Sequence, residues 1–378
     1  MKQLLRQFLF PVLLVVLVPI FATCVLCYTF QDGVIQAAPF GIIDEDNSAL
    51  SRSLTQYLAD NDTFDVVFYG DTAGELQTQL MQNRIIAGMI IPKDFSKDVS
   101  AGNSPSILLV YDGCQMSVAG ISKVKLTEVL TTIRIAASIQ ILEGKLDLQP
   151  QEALLYAQPI SNTFRYLGNP EKSLRNYVVP GAIANIVQLA MYMFMLEAIR
   201  KDEGETMHPL LSCLCGGLLA TLVLLCCIRL MHSFGVPMEG DWSTLALLAF
   251  FNMVGIGNLA AIVRLLLPNK MKLLAVQAAV VVMAMLLFSG YTFPALAMPP
   301  LFQAIAHILP FTYFAIPLRD VMLLGSSTAL VISDIHWLFL FAAVTAVPVI
   351  PLWLYHRQKQ TGRQTPIKQS VEEETPVC

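Results

Sequence analysis

Polar and apolar positions follow one another along this chain in two different rhythms. Six stretches, Phe8–Tyr28, Tyr177–Ile199, Leu210–Ile228, Ser243–Val263, Leu273–Phe293 and Trp337–Tyr355, are almost unbroken apolar runs. Each is about 19–23 residues long, which at a rise of about 1.5 Å per residue is enough for a helix to cross a hydrocarbon core of roughly 30 Å. The pattern predicts an α-helical polytopic membrane protein with six transmembrane helices, one ahead of a long interval and five close together behind it.

Within that interval, residues 30–176, apolar runs are short and alternate with amphipathic stretches. Phe40–Ile43, Val66–Tyr69, Arg84–Ile91 and Ile107–Tyr111 read as strands. Leu50, Leu54 and Leu58 share one helical face behind Asn47, which reads as an N-cap, and Asp71 reads as the cap of a helix carrying Leu76 and Leu80. Met116–Leu142, free of proline, reads as a long helix leading back towards the membrane. The expectation is an inserted α/β domain with one compact core. The acidic triplet Asp44-Glu45-Asp46 lacks the glycine and twelfth-position glutamate of a calcium loop, and reads as a solvated turn that helps start the next helix.

A third pattern follows the fifth run. Pro294–Pro317 is apolar but carries Pro294, Pro299, Pro300, Pro310 and Pro317, so it cannot be one continuous helix. Leu301, Phe302, Ile305, Ile308 and Leu309 recur at helical spacing and leave Gln303 and His307 on another face, the pattern of a short re-entrant or interfacial helix at the outer leaflet. In lipid an unsatisfied backbone group costs several kcal/mol, so the stretch must pack on protein or line a wet cavity. The outer mouth of a pathway offers both, with Phe302 and Phe311 placed to form an apolar gate and Gln303 and His307 facing water; an outer-leaflet plug that only seals the bundle meets the same demand, and the two differ in whether Phe302 and Phe311 control passage.

Composition agrees with the spans. Of 378 residues 55% are hydrophobic and 14% charged, and the mean hydropathy is +0.60. A net charge of -4 excludes a strongly basic nucleic-acid binder, and the apolar content excludes a disordered chain. The charges also set an orientation. Basic residues cluster at Lys2/Arg6, Arg200/Lys201, Arg264/Lys270/Lys272 and Arg357/Lys359/Arg363, which are alternate ends of the runs. The positive-inside rule then places both termini in the cytoplasm and residues 30–176 outside. The expected domains are 1–29 (N-terminus and first span), 30–176 (extracytoplasmic), 177–355 (the other five spans) and 356–378 (cytoplasmic tail). The first run exceeds a signal-peptide core of about 7–15 residues and reads as an uncleaved anchor.

Candidate chemistry is sparse. Of eight cysteines only Cys114 lies in the long polar segment, and Cys24 and Cys27 sit inside an apolar run as filler. The only Gly-Lys pair, Gly144-Lys145, is followed by Leu146 in a helical stretch, so the chain has no phosphate-binding loop. There is no G-x-S-x-G or H-E-x-x-H, His307 has no partner at metal-ligand spacing, and no catalytic or metal residue is assigned. The amides Asn185, Gln188, Asn252, Asn258 and Gln277 are expected to bond between helices. Glu197, within about a turn of Arg200, receives no proton-relay role.

Local motifs add a resemblance. Gly41–Ser48 with Leu50-Ser51, Ala87–Phe95, Asn169-Pro170-Glu171, Tyr177–Gly181, Ser289–Pro294 with Met298-Pro299, and Leu309–Tyr313 together resemble the permease subunits of type-2 ABC exporters, in the branch with a large extracytoplasmic domain. The resemblance covers nearly the whole chain. It implies an inner-membrane efflux permease with no cofactor of its own, ATP and Mg being held by a partner ABC ATPase subunit. It further implies a second permease copy, as a homodimer or a paired homologue, among membrane lipids, and leaves a periplasmic adaptor and an outer-membrane channel open as further partners. Glu203-Gly204-Glu205-Thr206 in the 200–209 loop is similar to the family's coupling element, although Glu205 separates its Gly and Thr. Residues 290–317, with Gly290, Phe293, Pro294, Pro299, Phe302, Pro310 and Phe311, correspond to its outer re-entrant region. The alternative, a membrane-anchored sensor or scaffold whose extracytoplasmic domain binds a ligand, requires neither a coupling loop nor proline-broken apolar helices.

Overall fold

The computed structural model describes residues 2–31, 37–113, 116–158, 165–199, 208–267 and 271–372. The chain divides into two compact units, Met1–Gly33 with Tyr166–Cys378, and Val34–Arg165. Helix α1 (Lys2–Thr29) opens the first unit. The second is built from β1 (Ala38–Asp44), α2 (Ala49–Ala59), β2 (Phe64–Gly70), α3 (Ala73–Met81), β3 (Ala87–Ile91), α4 (Phe95–Ala101), β4 (Leu108–Tyr111), α5 (Met116–Leu146) and α6 (Pro150–Ala157). The chain returns to the first unit with α7 (Leu174–Ala198), α8 (Pro209–Ser233), α9 (Trp242–Leu266), α10 (Lys272–Gln277), α11 (Ala279–Phe288), α12 (Pro300–Ala306), α13 (Pro310–Leu324) and α14 (Ile332–Glu372).

In the α/β unit the strands form one sheet in the order β2-β1-β3-β4, with β1 parallel to β2 and β3 and with β4 antiparallel to β3. Side chains alternate across a strand. Phe40, Ile42, Met89 and Ile91 therefore share a core with Leu54 and Leu58 of α2 and Leu126 and Val129 of α5, while Ile43 meets Leu76 of α3 on the other face. Gly41 and Gly88 lie beneath Leu76, where a Cβ would come within 2.6 and 2.7 Å of its Cδ1; glycine lets α3 close on the sheet.

Both expected caps shift by one residue. Ser48, not Asn47, caps α2, forming a capping box with Ser51, and Thr72, not Asp71, caps α3. The displacement at α2 follows from the acidic turn. The Asp44 carboxylate accepts from the amides of Asp46 and Asn47 and from the Ser51 hydroxyl, which holds Asn47 in the turn at φ +52° and leaves the capping position to Ser48.

Among the described residues of the first unit five helical stretches are long and apolar enough to cross a membrane: Val12–Thr29, Leu174–Ala198, Pro209–Ser233, Trp242–Leu266 and Ile332–Gln358. The run expected as a continuous span over Leu273–Phe293 is shorter. α10 gives way to α11 at Ala278, and the helix ends at Phe288; nothing in the sequence explains a break at alanine, the best helix former. The pair α12 and α13, bent by 75°, brings the number to six if it is one broken span.

Helix α9 packs against α7, α8, α13 and α14, and α1 and α11 pack on α7. Four of the five amides bond across these contacts. Asn185 Nδ2 donates to Met283 O at 3.2 Å, Gln188 Nε2 to Val282 O at 3.4 Å, Asn252 Nδ2 to Gln188 Oε1 at 3.1 Å and Asn258 Nδ2 to Ala342 O at 2.9 Å. Gln277 is instead exposed. Other bonds show which helix ends share a side of the bundle. Arg175, at the start of α7, donates to Gln31 O after α1 and to Gly235 O after α8, and the amide of Glu239 donates to Met322 O near the end of α13. At the other end the His208 ring, before α8, lies 4.4 Å from Trp353 of α14, and His356 bonds Leu265 O of α9.

Candidate functional site: the proline-broken segment and its anchor on α7

Pro180 lies inside α7 and offers no amide to the turn before it. The next amide, that of Gly181, is the i+4 partner of the Tyr177 carbonyl in a regular helix. The hydroxyl of Tyr291 sits between those two groups, accepting from Gly181 N at 2.9 Å and donating to Tyr177 O at 2.7 Å. In return the Tyr177 hydroxyl donates to Tyr291 O at 2.9 Å. The two rings stack with centroids 6.1 Å apart, and the Arg319 guanidinium of α13 lies 5.1 and 4.9 Å from them, within cation–π range. Tyr291 is buried, and a Cβ on Gly181 would fall 2.2 Å from its ring. A side chain inserted into a helical ladder is a recognised cause of bending, and here it joins α7 to the chain leaving α11.

That chain turns at Gly290, φ +84°, a conformation glycine adopts without strain. Phe293 is exposed, Pro294 precedes a short 3-10 turn over Ala295–Ala297, and Pro299 caps α12, with Pro300 as its first residue. Pro310 likewise opens α13. Prolines at helix starts remove amides that would have no helical partner anyway. Pro317, expected at a break, instead lies inside α13. Side chains take up freed carbonyls: Gln303 Nε2 donates to Met298 O at 2.8 Å, Thr312 Oγ1 to Ala306 O at 2.7 Å and the Tyr313 hydroxyl to His307 O at 2.8 Å.

The two phenylalanines read as a gate do not meet. Phe302 stacks on Phe288 of α11 at 5.6 Å, whereas Phe311 is fully buried and lies edge-on to Phe314 at 6.0 Å; among the described residues no ring contact joins Phe302 to Phe311. Gln303 is half-buried and committed to Met298, while His307 is exposed. His307, Tyr313, Asp320 and Asp334 line a cleft of about 340 Å³ beside this segment.

Glu203, Gly204, Glu205 and Thr206 lie outside the described residues, as do Arg200 and Cys114. Residues 203–206 fall in the connection between α7, which ends at Ala198, and α8, which starts at Pro209. Among the described residues no group of three or more His, Cys, Asp or Glu side chains is placed to hold a metal ion. Sequence reading picked out Tyr177–Gly181 and Ser289–Pro294 as separate motifs, but not Tyr291, Gly181 and Arg319 as one cluster. The available signal was a buried-type tyrosine next to a glycine turn, facing a Pro-Gly pair in an apolar helix.

Comparison with known proteins bears on the whole chain. Residues 2–349 match the family described as ABC-2 family transporter protein. The probable multidrug ABC transporter permease YbhS of Escherichia coli (strain K12) is 22% identical over 340 residues, 84% of this chain and 85% of that one. The probable multidrug ABC transporter permease YbhR of the same strain is 25% identical over 331 residues, covering 82% and 84% respectively. No solved structure matches at a significant level. With a match spanning residues 2–349, and with helices long enough to cross a membrane throughout the first unit, the chain belongs to the ABC-2 family of transporter proteins.

Proposed function

We propose that this chain is the membrane-spanning permease subunit of an exporter in the inner membrane, moving its substrate outward with energy from ATP hydrolysed on a separate ABC ATPase subunit. The family match over residues 2–349 carries this reading, and membership itself implies an ATPase partner. Two permease copies, identical or paired homologues, assemble with two ATPase subunits. Both chain termini and the α7–α8 loop lie in the cytoplasm, and the α/β unit lies outside. The distribution of basic residues supports that orientation, as does the sharing of one bundle end by Gln31, Arg175 and Gly235.

In this reading Glu203, Gly204, Glu205 and Thr206 couple the permease to the ATPase, the two carboxylates meeting a basic groove on the partner. Closure of the ATPase pair on ATP displaces the cytoplasmic end of α7. Residues 290–317 form the outer gate, and α7 reaches it through the Tyr177–Gly181–Tyr291 bonds. The relatives' names mention multidrug transport, which suits amphiphilic cargo passing apolar helices. The test is Glu203→Ala with Glu205→Ala in the complete complex reconstituted in proteoliposomes. The expected result is normal assembly with transport lowered at least about tenfold; wild-type transport in the double variant overturns the coupling role.

A further inference from the structure

A cavity in the α/β unit has no part in the transport reading above. It lies among α2, α4, α5, α6 and the connection 102–107, and encloses about 600 Å³, within the range of roughly 300–1,000 Å³ typical of small-molecule sites. Its main wall comes from a stripe on α5. Leu126, Leu130, Ile133, Ala137 and Ile141 recur at helical spacing and share one face. At the start of the stripe Leu126 is fully buried in the sheet's core. Farther along, Ile133, Ala137 and Ile141 are only half-buried and border the cavity. The same kind of apolar surface is thus covered at one end of a helix and uncovered at the other.

Arg134 brings the one formal charge to the lining. Among the described residues it has no ion-pair partner. Of the other polar side chains in the lining, Ser138 donates to the carbonyl of Arg134 and the Asn103 amide donates to the Asp98 carboxylate. A concave apolar wall with one uncommitted guanidinium suits a ligand with an apolar body and one acidic head. A flat protein partner would bring many contacts to a surface of this size, whereas the walls here close in from five elements of a single unit.

We propose that this cavity binds an amphiphilic organic anion, its apolar body lying along Ile133, Ala137 and Ile141 and its acidic head on Arg134. The inference does not depend on the transport reading. The test uses the full chain in lipid nanodiscs and hydrogen–deuterium exchange read peptide by peptide. The probes are 8-anilinonaphthalene-1-sulfonate and N-phenyl-1-naphthylamine, which has the same body without the sulfonate. The sulfonate is expected to slow exchange in residues 102–107 and in α6. Arg134→Gln should weaken the sulfonate about tenfold and leave the neutral probe unchanged. Ala137→Trp, which fills the cavity, should remove protection by both while β1 and β3 keep their exchange rates. Protection that is insensitive to both substitutions, or a neutral probe that binds as tightly as the sulfonate, overturns the proposal. Protection of the same peptides that rises with chain concentration in the absence of probe assigns the face to a second copy and overturns it too.

Discussion

An amide of α7 and an amide of α2 are each met by a side-chain hydroxyl: Gly181 N by Tyr291 at 2.9 Å, and Ser51 N by Ser48 at 3.1 Å. The first partner arrives from 110 residues away and is buried. The second is three residues away in a partly exposed turn. Water can replace Ser48 if it is lost, so the bond there contributes on the order of 1 kcal/mol, as helix caps do. Water has poor access to Gly181, and an unmet amide and carbonyl in an apolar setting cost about 1–3 kcal/mol. The same exchange of a backbone partner for a side chain is a local convenience in the α/β unit and a long-range tie in the helical unit.

The largest effect that would break this comparison is steric. Gly181→Ala adds a methyl 2.2 Å from the Tyr291 ring. Alanine favours a helix over glycine by about 0.5–1 kcal/mol, but overpacking costs about 1–3 kcal/mol, and with the ring stacked on Tyr177 and flanked by Arg319 the second term wins. Thermal unfolding of the purified chain should show a clear loss of stability. An unchanged or raised Tm would mean that the Tyr291 ring moves aside freely and ties nothing.

Tyr291→Phe sharpens the same point, because it keeps the ring and removes only the hydroxyl. Gly181 N and Tyr177 O are then free to bond each other, but only if α7 straightens across Pro180. A loss of about 1–2 kcal/mol is expected, smaller than for Gly181→Ala, together with altered basal ATPase activity of the assembled complex. Unchanged stability and unchanged activity would mean that the ladder closes without consequence.

This tie also marks what the chain's pattern could and could not reveal. Hydropathy located α7, α8 and α9 within about five residues and the apolar parts of α1 and α14, although those helices run on to Lys2 and Glu372, and alternation located the four strands, because burial is read one residue at a time. The amides Asn185, Gln188, Asn252 and Asn258 were legible as interhelical bonds because lipid offers them nothing. The pairing of Tyr291 with Gly181 was not legible: a tyrosine beside a glycine turn has many possible carbonyls, and only the packing of α11 on α7 selects one. Pro317 misled for a related reason. Proline usually ends a helix, but α13 is held on both sides by α7, α9 and α14, and tertiary packing outweighs the lost bond. The cap at Asn47 was displaced by Asp44, whose carboxylate claims the turn from seven residues before Ser51.

The proline-broken segment should respond less than α7 does. Gln303→Leu and Tyr313→Phe each remove one donor from a carbonyl, Met298 O and His307 O, where the side chains are only partly buried and water can substitute. Each is expected to lower stability by about 0.5–1.5 kcal/mol, and the pair to add if the sites are independent. Losses as large as that of Tyr291→Phe would show that this segment is as dry as the α7 anchor. The difference in exposure between the two places would then no longer order the effects.

The smallest effect lies at the start of α2, and its direction separates the observed cap from the expected one. Ser48→Ala removes the acceptor of the Ser51 amide and should cost about 1 kcal/mol, within the usual range for a cap. Asn47→Gly should cost less. Asn47 has φ +52°, which glycine adopts without strain, and the substitution sacrifices only the exposed bond from its side-chain amide to Asp44 O. If Asn47 were the cap, the order would reverse. Exchange rates of the α2 amides in the full chain read this directly: faster exchange in Ser48→Ala and near-native rates in Asn47→Gly are expected. The opposite order would restore Asn47 as the cap and remove one side of the comparison. The Asp44 carboxylate would then be free to serve the turn alone.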